Sequence, residues 1–212
     1  MKLKRKYWFK KDLTPSLSEC TFQASNDINF SQFENLYSIG DLDRIIIYNK
    51  KINPRQKYRF VRFLIPPHNN GNISEMMFVT NKGEKLKGKL ISSKSIKDNP
   101  TLDFGFDNNV LSFINIKKDA EPQWVGLDFG EKKELSEITF CPRTDKNDIW
   151  PGLRYELFYW NSGWKSIEKK IATTHTLDFN SPFSNGLYLL KCLDEGVEER
   201  IFTYENEKQV WW

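Results

Sequence analysis

The chain contains few of the residues from which catalytic and metal sites are usually built. Its 212 residues include two histidines and three cysteines, and the cysteines are far apart, with no Cys-x-x-Cys pair. The sequence has no Ser-His-Asp signature, glycine-rich phosphate loop or metal-binding spacing. We therefore expect a protein that is not an enzyme, in which the three cysteines are small core residues rather than a disulfide framework or a metal site.

Long apolar segments and a strong net charge are absent as well. The longest apolar stretches span only a few residues, as at 45–47, so none is long enough for membrane insertion. Residues 1–6 are basic, but the aromatic residues 7–9 follow instead of an apolar run, so no signal peptide is predicted. The net charge of +4 requires neither nucleic acid nor an anionic membrane as a partner. Lysines alternate with other side chains over residues 2–9, which favours an edge strand protected by lysine over a nucleic-acid surface.

Aromatic residues are abundant, and the dominant sequence period is two. The chain has 16 Phe, eight Tyr and seven Trp, residue types that favour half-buried pleated surfaces. Apolar and polar side chains alternate in several short segments bounded by Gly, Pro, Asn or Asp, which is typical of strands joined by polar turns. These segments are residues 58–63, 124–129, 135–140 and 155–159. The pattern predicts an all-β sandwich or jelly roll in which helices are few and short.

A weak internal repeat organises the chain. Four segments of the first 80 residues match, in the same order, four segments of the second half. The matched pairs are 3–12 with 135–145, 22–26 with 155–159, 58–64 with 187–193, and 72–78 with 196–202. Residues 1–80 therefore resemble the second half of residues 81–212. The alternative is that any two β segments share such alternation.

The same residues resemble a known family. The matching blocks are short but occur in the family's order: an Asp turn, a Trp-to-Gly strand, a Pro-Arg segment and a closing strand. They are Phe106–Phe113, Trp124–Gly130, the set Pro142, Arg143, Asn147, Gly152 and Tyr155, and Glu199–Tyr204, with Asn72–Phe78 resembling the closing strand again. Together they are similar to the discoidin, or coagulation-factor type C, domains of the galactose-binding-like group, and especially to bacterial family 32 carbohydrate-binding modules.

The resemblance implies an antiparallel jelly-roll β-sandwich preceded by a partial second unit. Residues 81–212 would form a complete discoidin-like domain, and residues 1–80 the C-terminal half of another whose front half lies upstream. Half a jelly roll exposes a sheet edge and an apolar face. We therefore expect residues 1–80 to pack on residues 81–212 or to pair with another chain.

The resemblance also implies a carbohydrate site on the loop after residue 142. Arg143 offers a planar fork of donors, Asp145 offers acceptors, and Asn147 offers an amide that both donates and accepts. Together these groups suit sugar hydroxyls. Trp150 or Phe113 would stack on the apolar face of a pyranose. The alternative is that Arg143 pairs with Asp145 and that the loop only caps a β turn.

The region after the Asp turn departs from the family pattern. Sugar-binding members often carry a Trp-His pair there, whereas this chain reads Leu111-Ser112-Phe113-Ile114. A galactose-type site built on that histidine is therefore not expected. A remodelled sugar site, or no sugar site, remains open.

A structural calcium ion is the one cofactor that the resemblance suggests, and none is required. Asp107, Ser112 and Glu199 resemble positions that hold calcium in such modules. Asn108 and Asn109 replace the usual glycine of the turn. The alternative is an Asx turn at Asp107 and a solvated Glu199.

These expectations define the predicted function. The chain would be a non-catalytic carbohydrate-binding module, an appendage of a larger bacterial surface or secreted protein. It would bind a glycan or polysaccharide weakly, so that its function relies on multivalency. Its location would be extracellular, at the cell surface or periplasmic, by resemblance. The alternative is a structural or protein-interaction β-sandwich with no sugar site.

Overall fold

The computed structural model describes residues 1–3, 14–42, 46–110, 112–144, 149–180, 183, 185–194 and 199–211. It has 46% strand and 7% helix. In these ranges the strands are β1 Lys2–Leu3, β2 Thr21–Ser25, β3 Glu34–Ser38, β4 Tyr48–Lys51, β5 Tyr58–Ile65, β6 Ile73–Val79, β7 Lys89–Ser92, β8 Gln123–Lys133, β9 Glu137–Pro142, β10 Arg154–Trp160, β11 Trp164–Ile171, β12 Leu177–Asp178, β13 Gly186–Cys192, β14 Glu199–Glu205 and β15 Lys208–Trp211. The helices are short 3-10 turns at Thr14–Leu17, Lys94–Ile96 and Leu102–Phe106.

The all-β prediction is confirmed, as is the expectation of few and short helices. Each of the four segments predicted from alternation overlaps a strand, namely β5, β8, β9 or β10. No helix in the described ranges has the length and apolar character needed to cross a membrane.

The chain divides into two compact units. The central unit is Leu13–Thr144, and the terminal unit combines Met1–Asp12 with Asp145–Trp212. This division differs from the predicted boundary at residue 80. Strands on the two sides of residue 80 pair within the same sheets, since β5 pairs with β8 and β9 pairs with both β4 and β6.

The central unit is built from two antiparallel sheets in a sandwich-like arrangement. The larger sheet has the order β3-β2-β5-β8-β7, and the smaller has the order β4-β9-β6. One apolar cluster takes side chains from both sheets, including Phe22 on β2 and Phe140 on β9, whose ring centroids are 5.5 Å apart. Alternation determines the inward face. Val61 and Phe63 are fully buried in this cluster, while Arg62 between them faces away from it.

A glycine allows two central strands of the larger sheet to pair closely. Gly126 on β8 lies opposite Arg62 on β5. A Cβ atom at residue 126 would come within 1.9 Å of the carbonyl oxygen of Val61. Any side chain here would therefore displace the β5 backbone.

The terminal unit has its own core. Its main sheet has the order β11-β10-β13-β14-β15, and β1 pairs with β12. Fully buried side chains on this sheet include Tyr155, Tyr188 and Phe202. A hairpin turn at 161–163 joins β10 to β11, with Asn161 donating its N–H to the carbonyl of Gly163 at 3.0 Å.

The internal repeat is reproduced in part by the sheets. The order β3-β2-β5 corresponds to β11-β10-β13, and the pairing of Phe22 with Phe63 corresponds to that of Tyr155 with Cys192. Beyond these strands the repeats differ. β6 pairs with β9 in the smaller sheet, whereas its counterpart β14 continues the main sheet of the terminal unit.

The cysteines are core residues, as predicted. Cys20, Cys141 and Cys192 are buried and form no disulfide bond among the described residues. Burial, and secondarily the charge of Glu19, raise the pKa of Cys20 to about 12, so its thiol stays protonated at neutral pH.

Candidate functional site

The described part of the predicted sugar site lies where three segments of the central unit meet. Arg143 follows β9, and its guanidinium carbon lies 3.9 Å from the ring centroid of Phe113. The Arg143 N–H donates to the carbonyl of Asn72 at 3.2 Å, and the Ile114 N–H donates to the carbonyl of Ile73 at 2.9 Å. Main-chain hydrogen bonds therefore hold both partners of the Arg143–Phe113 pair beside the start of β6.

This pair offers a planar cation stacked on an aromatic ring. Arg143 and Phe113 are both half-buried. A guanidinium stacked on a ring forms its hydrogen bonds in its own plane, a geometry that suits hydroxyl or carboxylate oxygens. The structure thus brings together two of the five predicted sugar-contacting residues.

Of the other three predicted contacts, the structure describes only Trp150. Asp145 and Asn147 lie outside the described residues. Trp150 belongs to the terminal unit, is 4% exposed and packs edge-on against His175, with ring centroids 4.8 Å apart. A buried ring has no face for a sugar arriving from solvent, so the expected stacking role of Trp150 is corrected.

The predicted Asp turn is formed. The Asn109 N–H donates to Asp107 Oδ1 at 2.8 Å, and the Ser112 hydroxyl donates to Asp107 Oδ2 at 2.7 Å. Asn108 takes a φ of +61°, a left-handed conformation that asparagine tolerates better than most residues other than glycine. Asparagine is therefore accommodated at this position of the turn. The bond from Asn109 to Asp107 forms an Asx turn, which is what the alternative to the calcium site predicted at Asp107.

Glu75, on β6, is the acidic residue that the structure places near this turn. It is 4% exposed, and within the described part of the chain neither carboxylate oxygen has a hydrogen-bond partner of normal geometry. Burial, and secondarily the charge of Asp107, raise the pKa of Glu75 to about 7, although the backbone amides of Asn108, Met76 and Asn109 act in the opposite direction. An uncompensated buried carboxylate is costly, which marks this position as unusual.

The sequence contained a signal for Glu75. In the internal repeat Glu75 is the counterpart of Glu199, the third predicted calcium ligand. Glu199 lies on β14 of the terminal unit, and its side chain is not among those described. The repeat therefore indicates Glu75, as well as Glu199, as a candidate calcium ligand.

The chemistry of this cluster fits a hard cation. Over the described ranges no group of three or more His, Cys, Asp or Glu side chains is arranged for a metal ion. Calcium also accepts hydroxyl and carbonyl oxygens, so two carboxylates, on Glu75 and Asp107, do not exclude it. The burial of the Glu75 carboxylate beside Asp107 makes Glu75 a candidate cation ligand, and the three backbone amides that act on it are the competing source of compensation.

A separate open groove of about 720 Å³ lies along the smaller sheet of the central unit. It is bordered by Lys51, Lys82 and Lys85 together with short polar side chains, and Lys51 pairs with Glu137 at 2.7 Å. None of the residues that line it is aromatic. The groove therefore lacks the stacking surface that pyranose recognition commonly uses.

Comparisons with known proteins do not assign the chain. No family model matches it, and neither the curated proteins nor the solved structures include a significant match. The resemblance to discoidin domains therefore rests on the sequence blocks alone.

Proposed function

We propose that the chain is a non-catalytic carbohydrate-binding module whose glycan site includes Arg143 and Phe113. The observation that carries the proposal is the stacking of the Arg143 guanidinium on Phe113 at the meeting point of three loops. A fixed donor fork beside a ring matches the mixed polar and apolar surface of a sugar. A single shallow site of this kind binds weakly, so the module would act by multivalency as an extracellular appendage of a larger protein.

The proposed fold is a discoidin-like jelly roll whose family segments occur in permuted order. In the central unit the block that resembles the closing strand, 72–78, precedes the Asp turn at 106–113 and the strand block at 124–130. The pairing of β6 with β9 and of β5 with β8 is what brings the two halves into one unit. A jelly roll tolerates such an order because a permutation changes the connections between strands and keeps the strand pairs.

The proposed structural calcium ion would be held by Glu75 and Asp107, with Ser112 orienting Asp107. Its charge would neutralise two neighbouring carboxylates and brace the Asp turn beside Phe113. It would have a structural role and no part in a reaction.

The first prediction tests the sugar site. Arg143→Ala should weaken binding to a glycan identified on an array by about tenfold or more, because a charged donor fork and its stacking are both lost. Isothermal calorimetry measures the change. Arg55→Ala, which removes an exposed arginine from the same unit, should change Kd less than about twofold. Absence of binding across a broad glycan panel would refute the proposal.

A second candidate function, protein–protein interaction, is favoured by one surface of the terminal unit. The face of its main sheet that points away from the core carries Trp160, Ile201 and Val210, all exposed. Exposed apolar residues on one face of a sheet are typical of interaction sites. A stable dimer in size-exclusion chromatography, together with no sugar affinity, would favour this alternative.

A further inference from the structure

Arg62 lies on the outer face of the larger sheet of the central unit and is surrounded by aromatic rings. Its guanidinium carbon is 4.3 Å from the ring centroid of Phe30, 5.5 Å from that of Phe33 and 5.8 Å from that of Trp124. Phe30 is buried, Trp124 is half-buried and Phe33 is 50% exposed. The rings therefore enclose the cation on some sides and leave an aromatic surface open to solvent beside it.

The charge of Arg62 is not compensated by an acid. Its Nε donates to the neutral Gln23 Oε1 at 2.7 Å, and its two terminal nitrogens have no acceptor in the described part of the chain. Arg59, on the same strand, instead forms two hydrogen bonds of 2.8 Å with Asp128. Because Arg62 is half-buried, its pKa is lowered by desolvation, and an incoming anion would relieve this cost.

Neutral polar groups complete the surroundings. The Gln23 amide donates to Asn35 Oδ1 at 2.8 Å, which fixes the orientation of both side chains. Asn35 is exposed, and its own amide nitrogen has no acceptor among the described residues. Gly126, directly across from Arg62 on β8, adds no side chain to cover it. The site therefore offers a cationic fork, an amide donor and an exposed ring.

We propose that Arg62, Asn35 and Phe33 form a second binding site, specific for a sugar that bears a carboxylate, such as a uronic-acid unit of a polysaccharide. The guanidinium fork would pair with the carboxylate in bidentate fashion. The Asn35 amide would donate to a ring hydroxyl, and Phe33 would stack on the apolar C–H face of the pyranose. The inference rests on the proposed carbohydrate-binding function but uses a surface that does not include Arg143.

A uronic acid fits this set of groups better than an acidic peptide. An aspartate or glutamate side chain would use the Arg62 fork but has neither a hydroxyl for Asn35 nor a ring face for Phe33. A neutral sugar would use the amide and the ring but would leave the cation without a counter-charge. The uronate engages all three groups at once.

The second prediction tests this site by calorimetry on the full chain. The buffer contains EDTA, so that calcium cannot bridge the carboxylates of the probe and the protein. The probes are a galacturonate trimer, its methyl ester and a glutamate-rich peptide. The trimer should bind, whereas its methyl ester should bind at least about tenfold more weakly because the bidentate ion pair is lost. Arg62→Gln and Phe33→Ala should each weaken trimer binding by about tenfold.

Matched variants separate this site from general charge effects and from the Arg143 site. Arg55→Gln removes the same unit of charge from an exposed arginine and should change Kd less than about twofold. Arg143→Ala distinguishes the two sites: a loss of trimer binding in Arg143→Ala without a loss in Arg62→Gln would assign the uronate to the Arg143 site and overturn this proposal. Phe33 is half exposed, so its truncation should leave the fold intact. Equal binding of trimer and ester, preference for the peptide, or unchanged affinity of Arg62→Gln would each overturn the proposal.

Discussion

Replacing Phe22 with alanine is expected to lower the free energy of unfolding of the central unit by about 3–5 kcal/mol. The Phe22 ring is fully buried and contacts three other phenylalanines, with centroid separations of 5.1 Å to Phe63, 5.5 Å to Phe140 and 6.1 Å to Phe78. Phe63 lies in the larger sheet, whereas Phe78 and Phe140 lie in the smaller one. Truncation therefore leaves a cavity where the two sheets meet and removes aromatic contacts on both sides.

Urea denaturation of the full chain, monitored by tryptophan fluorescence and far-ultraviolet circular dichroism, measures this loss. Phe33→Ala removes the same side chain from a half-exposed position and should change the free energy of unfolding by only about 0.5 kcal/mol. A loss below about 1 kcal/mol for Phe22→Ala would contradict the packing of the two sheets around this ring.

Strands could be predicted from the sequence because alternation records burial directly. In β5 the inward residues Val61 and Phe63 flank the outward Arg62, and the sequence shows this order without any knowledge of the partner strand. The same signal identified β8, β9 and β10. It specifies which face of each strand is buried.

Pairing between distant strands could not be predicted in the same way. Residues 22–26 and 155–159 carry equivalent patterns, and the structure gives them equivalent partners in β5 and β13. Two segments of the chain therefore carry the same pattern. Alternation does not distinguish which of them belongs to the same unit as residues 81–144. The predicted boundary at residue 80 depended on that choice.

The candidate sites show the same limit. Arg143 and Phe113 were both predicted as sugar contacts, because each lies in a recognisable block. The enclosure of Arg62 depends on Phe30 from a loop and on Trp124 from a strand far along the chain, and no local pattern joins them. Trp150 was predicted as a sugar contact but is buried, because the sequence of a polar loop does not show whether its tryptophan is exposed.

Replacing Glu75 with glutamine is expected to stabilise the central unit at high pH and to have little effect at low pH. Burial and the neighbouring Asp107 raise the pKa of Glu75 from its ordinary value of 4.5 to about 7, so the folded state retains a proton that the unfolded state has lost. Stability from this group is fully present below pH 4.5, declines as the pH rises from there to about 7, and is lost above it. The difference in pKa corresponds to a penalty on the order of 3 kcal/mol above pH 7.

Urea denaturation from pH 4 to pH 8 in EDTA tests this expectation, because the difference between wild type and Glu75→Gln isolates this group from the other carboxylates. The difference should be near zero at pH 4 and should reach about 3 kcal/mol in favour of the variant at pH 8. Millimolar calcium at pH 8 should stabilise the wild type and should have much less effect on the variant, since Glu75→Gln leaves Asp107 as the one carboxylate of the proposed site. Parallel stability curves would contradict the raised pKa, whereas a pH-dependent difference without a calcium effect would retain the buried carboxylate and reject the cation. The pH series in EDTA therefore tests whether the pKa of Glu75 is raised, and the addition of calcium tests whether a cation compensates its charge.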